Sequence, residues 1–118
     1  MPPFSNFTSK AKEVIRKTHE LAIERGQNQV GPLHLLAALL LQEESMFVSI
    51  LDKIEVDTVM LTDYVIESLE GHEQSGVLSA AYQIYLTPEL VKVFDTSGKI
   101  AANLKDEFVS TEHLLLAL

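Results

Sequence analysis

Cysteine and tryptophan are absent from the 118 residues, and glycine and proline are sparse, at five and four. Without cysteine there can be no disulfide, thiol nucleophile or thiolate metal site, and the chain suits a reducing, cytoplasmic compartment. Basic residues are also few: 9 Lys and Arg face 17 Asp and Glu, for a formal charge of −8. That balance argues against nucleic acid or an anionic membrane as partner and favours basic or hydrophobic ones. No long apolar run exists. The longest, 35–41, falls far short of the roughly 20 residues of a spanning helix, and the start Met1-Pro2-Pro3-Phe4-Ser5-Asn6 lacks the basic-then-apolar order of a secretory signal.

Catalytic signatures are missing too. No Gly-x-x-x-x-Gly-Lys-[Ser/Thr] phosphate loop occurs, so this segment is not expected to bind or hydrolyse ATP. Ser45, Ser49, Ser75 and Ser79 stand outside any Gly-x-Ser-x-Gly motif, and no carboxylate pair marks a cleft. What is present is apolar mass: 47% of the residues, enough for one core in a chain of this length.

The chain repeats itself. A shift of 79 positions lays Thr8 on Thr87, Val14 on Val93, Ala22 on Ala101 and Val30 on Val109. It also lays His34-Leu35-Leu36-Ala37-Ala38-Leu39 on His113-Leu114-Leu115-Leu116-Ala117-Leu118. An internal duplication explains this register, and two units predict a bundle in which the apolar second helices face one another.

Each unit reads as helical. Phe7, Ala11, Val14, Ile15, Thr18, Leu21 and Ala22 recur at three- and four-residue steps and line one face of a first helix, with Thr8 as N-cap and Gly26 as stop. Its copy opens at Leu86-Thr87-Pro88, where threonine caps, proline fills the first turn and Leu86 can staple onto Val91; it should run to about Leu104. Gly98 inside it calls either for a close contact or for no reason at all. The second helix, from Gly31-Pro32 to Leu41, is apolar on nearly every side and should occupy the centre of the core. A third is expected over 46–54. A fourth is expected after Asp57, with Leu61, Tyr64, Val65 and Leu69 inward and Gly71 at its end. The stretch 72–85 reads as a connector, with a helical turn at 79–82.

Within Val30-Gly31-Pro32-Leu33-His34-Leu35-Leu36 and Val109-Ser110-Thr111-Glu112-His113-Leu114-Leu115, the sequence resembles the twofold repeat of the Clp N-terminal domain, which opens the Clp-family AAA+ unfoldases and disaggregases. The resemblance spans nearly the whole chain. Pro32-Leu33-His34-Leu35, followed by Ala38-Leu39-Leu40 and Gln42-Glu43, is more similar to the ClpB branch than to ClpC, whose first copy reads Gly-Thr-Glu-His. It implies an all-α, compact bundle of two pseudo-symmetric Clp repeats forming one domain over 1–118: repeat one at 4–71, the connector at 72–85 and a truncated repeat two at 86–118. Because Leu118 matches Leu39, the polypeptide is expected to be an excerpt of a longer chain.

The resemblance further implies a module that captures unfolded or aggregated clients, and adaptor proteins, for threading by downstream ATPase modules. Those modules would hold ATP and magnesium; no cofactor is expected in this segment. The whole protein would be a homohexamer and the isolated domain a monomer. The alternative is a free-standing helical accessory protein that docks on a Clp ring. In ClpC-like proteins an acid before the histidine of each copy helps hold phosphorylated arginine. Here Leu33 takes the first of those places and only Glu112 remains, so a symmetric phospho-arginine reader is not expected. In ClpB-like domains an apolar groove with a polar and acidic rim engages clients, and the matching positions are Thr8, Asp106 and Glu112.

Each of these also has a local explanation. Thr8 is a cap, Asp106 suits a turn, and Glu112 at a first helical turn is favoured by the helix dipole. Phe7, Leu33, Leu86 and Phe94 fit either the groove or the core. His34 and His113 invite a metal reading, but zinc needs three or four ligands and Glu112 is the only acid beside either, so bonding to nearby backbone is the expectation.

Overall fold

A helix begins where a side chain can satisfy its first free N–H groups, and both long helices do so with threonine. In the computed structural model, which describes residues 5–42, 46–71 and 85–118, Thr8 Oγ1 accepts from the Ala11 N–H at 3.1 Å and opens α1, Ser9–Glu24. Thr87 Oγ1 accepts from the Leu90 N–H at 3.2 Å and opens α5, Pro88–Asn103. Gly26 ends α1 with φ of 67°, which costs glycine nothing. After α1 come β1, Gln29–Val30, and α2, Pro32–Leu41. Next are α3, Met46–Lys53, and α4, Thr58–Gly71, whose start Asp57 caps by accepting from the Met60 N–H at 3.0 Å. Beyond lie β2, Tyr85–Leu86, before α5, and α6, Thr111–Ala117, after it. Except for Tyr85, the expected connector and its helical turn lie outside the described residues.

The apolar stripe of α1 is buried as its spacing predicts: Phe7, Ala11, Val14, Ile15, Thr18, Leu21 and Ala22 are all inside. Leu35 and Leu39 of α2 are fully enclosed, with α1 on one side and α4 on the other. The two second helices, α2 and α6, do touch, but each packs more extensively on the first helix of its own unit.

One expectation on α4 fails. Leu61, Val65 and Leu69 face inward, whereas Tyr64 is 67% exposed and Ile66 takes its place against the core. The helix has turned toward the residue whose burial strands no hydroxyl, since a buried phenol needs a hydrogen-bond partner. Gly98 makes no close contact either: a β-carbon there would meet nothing within 4 Å.

The strands tie the units together. Gln29 pairs with Tyr85 and Val30 with Leu86, in parallel, and Phe7 forms an isolated parallel bridge with Val109. In the register of the duplication Phe7 matches Leu86 and Val30 matches Val109. The two bridges are therefore one contact made twice, with the units exchanging roles. The hydrogen bonds repeat as well: the Thr87 N–H donates to the Val30 carbonyl and the Thr8 N–H to the Val109 carbonyl, both at 2.9 Å. No described helix is long and apolar enough to cross a membrane.

Candidate functional site

Both expected histidines bond to nearby backbone, and they do so identically. His34 Nδ1 accepts from the Gly31 N–H at 3.0 Å, and His113 Nδ1 from the Ser110 N–H at 2.8 Å, each reaching back from the third helical residue to the N–H of the residue that caps the helix. An N–H can only donate, so Nδ1 carries the lone pair and, in the neutral ring, the proton sits on Nε2. In the first unit that Nε2–H meets Gln27 Oε1, and the Gln27 amide donates to the Leu69 carbonyl at 3.0 Å. In the second unit it meets Asp106 Oδ2 at 2.9 Å. Gln27 and Asp106 are equivalent by the duplication, and so are the bonds their N–H groups make to the preceding helix, to Ala22 at 2.9 Å and Ala101 at 2.8 Å. Among the described residues no group of three or more His, Asp or Glu is arranged to hold a metal ion.

Two apolar cavities flank α5. One, of about 490 Å³, has Leu33, Leu36 and Val93 in its wall with Glu89, Lys92 and Thr96 beside them. The other, of about 400 Å³, is walled by Phe7, Leu86, Val91 and Phe94, with Asn6 and Asp95 supplying polar groups and Gly98 leaving space on the helix. Phe7 and Phe94 meet edge to face, ring centroids 6.5 Å apart. Both rings are nearly enclosed, so they serve core and cavity wall at once.

Of the residues singled out in sequence, Leu33 and Phe94 therefore lie on opposite sides of α5, in different cavities, with Phe7 and Leu86 on the side of Phe94. Thr8, Asp106 and Glu112 line neither. Thr8 follows Phe7 of the Phe7·Val109 bridge in the chain, and Asp106 and Glu112 each stand three residues from Val109. Thr8 is bonded to Val109 through its backbone, Asp106 to His113, and Glu112 Oε2 accepts from Ser110 Oγ at 3.3 Å. Phe7 belongs both to the bridge and to the second cavity, so the bridge beside Thr8 meets that cavity. Sequence reasoning missed Asp95 as a rim acid and took Val91 only as a staple partner. The available signal was Val91 itself, an apolar residue off the buried stripe of α5, which is 50% exposed.

A family model of the Clp repeat (R) N-terminal domain matches residues 6–118. The chaperone protein ClpB of Clostridium tetani is 31% identical over 114 residues, a match covering 94% of this chain and 13% of that protein. Further curated relatives are mostly ClpB chaperones, with ClpC also represented. The chain thus spans about an eighth of the curated relatives it matches. The Hsp104 N-terminal domain from Candida albicans superposes with a TM-score of 0.84 at 24% identity, covering 96% of this chain and 73% of that one. A ClpV N-domain in complex with VipB peptide gives 0.77 at 18% identity, covering 98% of this chain and 68% of that one. These two show that the fold is shared.

Proposed function

Since the chain belongs to the Clp repeat N-terminal domain family, we propose that it is the client- and adaptor-binding module of a ClpB-type chaperone, working ahead of ATPase modules in the cytoplasm. One observation carries the reading: an apolar cavity walled by Phe7, Leu86, Val91 and Phe94, with Asn6 and Asp95 as its polar groups, whose Phe7 also bridges to Val109 beside Thr8. Unfolded polypeptide offers apolar side chains and free backbone groups together, and a pocket with polar groups at its edge suits both. Thr8 Oγ1 uses a lone pair to cap α1, which leaves its O–H to donate. The net charge of −8 favours basic client segments and makes capture salt-sensitive. That a ClpV N-domain, a protein of the same fold, forms a complex with a peptide supports peptide capture as the use of such a domain. The work of disaggregation, ATP, magnesium and hexamer formation belong in this reading to the larger protein.

The test is titration of a fluorescently labelled, permanently unfolded protein into the domain, with helicity checked by circular dichroism. Val91→Glu places a charge in the cavity wall at a partly exposed site and should weaken binding about tenfold, the effect of removing one good apolar contact. Glu112→Ala should weaken it less and flatten its salt dependence. If the folded domain binds no client at low salt, docking onto a Clp ring as an accessory protein becomes the better reading.

A further inference from the structure

Asp106 spans two helices. Its N–H donates to the Ala101 carbonyl at the end of α5, and its carboxylate accepts from His113 at the start of α6. Asp106 thus ties the end of α5 to the start of α6 within the loop that carries Val109 to its bridge with Phe7. The first unit has the same brace in uncharged form, for Gln27 joins Ala22 to His34 and is buried, out of reach of any client. A position that works with a neutral amide in one unit owes its role to accepting a hydrogen bond rather than to its charge.

We infer that Asp106 is a positioning residue of the client site: by holding His113 Nε2–H it ties the start of α6, and Glu112 with it, to the end of α5, and in doing so it also keeps the Nδ1 lone pair on the Ser110 N–H. The assignment rests on the client-binding reading above and changes one part of it, since the Asp106 carboxylate then acts through His113 and not by touching the client.

Three substitutions separate the two roles. D106N keeps an oxygen that accepts from Nε2–H but removes the charge. D106A removes both. H113Q keeps a cap on Ser110, because a glutamine three residues into a helix reaches back to the N-cap N–H, yet cuts the link to Asp106. Client affinity is measured by the titration above, the His113 ring tautomer by its nitrogen chemical shifts, and Ser110 by amide hydrogen exchange.

Positioning requires D106N to bind within about twofold of wild type and to keep the wild-type tautomer. It requires D106A and H113Q each to weaken binding about tenfold, near the worth of one hydrogen bond to a charged group, and the double variant to be no worse than either. Should D106N lose binding as D106A does while H113Q binds like wild type, the carboxylate touches the client and the assignment is wrong. An unchanged ring signature and Ser110 protection in D106A would also overturn it, with the client-binding reading left standing. A wild-type domain that binds nothing brings down that reading and the assignment together, while the ring signatures still report whether the brace exists.

Discussion

Lys105 and Gly26 are equivalent residues in one backbone conformation, φ of 61° and 67°, each following its helix and each beginning the loop to the next. Glycine takes this conformation freely, but lysine brings its β-carbon against the backbone. Lys105→Gly should therefore raise stability by roughly 0.5–1 kcal/mol, read as a higher denaturant midpoint at unchanged slope, and Gly26→Ala should lower it by a similar amount. Gly98 offers the opposite experiment. Its helical backbone suits alanine and an added methyl meets nothing, so Gly98→Ala should add roughly 0.5–1 kcal/mol. Because Gly98 also lines the second cavity, the stabilised variant should bind client no better than wild type, and worse if the client fills that space.

At the scale of elements, α1 and α5 were legible from end to end, since cap, stripe and stop are local properties of the chain. Their caps should be worth the same. Thr8→Ala and Thr87→Ala are each expected to cost about 1 kcal/mol in thermal or denaturant unfolding, with serine at either site restoring most of it. Illegible were the features that depend on a distant partner. β1 and β2 have two residues each, too few for an alternating pattern, and they exist because each finds the other across more than fifty residues of chain. The rotation of α4 that exposes Tyr64 depends on which face α2 presents. Thr8, Asp106 and Glu112 were nominated by resemblance, but nothing local told that Asp106 would meet His113 or that Leu33 and Phe94 would be parted by α5. The matching places of Gln27 and Asp106 in the two units were a readable signal once both histidines had been noticed.

Across the whole molecule, the strand pairs join one unit to the other, and α6 also touches α1 and α3. Neither unit buries its own entry strand. Residues 1–71 prepared alone should thus lose the partners of Phe7 and Val30 together, and should unfold without the steep transition of the full chain when ellipticity is followed against urea. Leu90, wholly enclosed, gives a milder probe: Leu90→Ala should cost about 2–5 kcal/mol and leave the midpoint well below that of the cap variants.

The reciprocal bridges have a historical consequence. If Phe7 reaches Val109 just as Leu86 reaches Val30, then a polypeptide carrying a single unit would satisfy both contacts by pairing with an identical subunit about a twofold axis. Joining the two genes of such a homodimer end to end yields this arrangement without a new contact. Once both copies were covalently one, neither had to serve two masters, and a glutamine on one side could become an aspartate on the other.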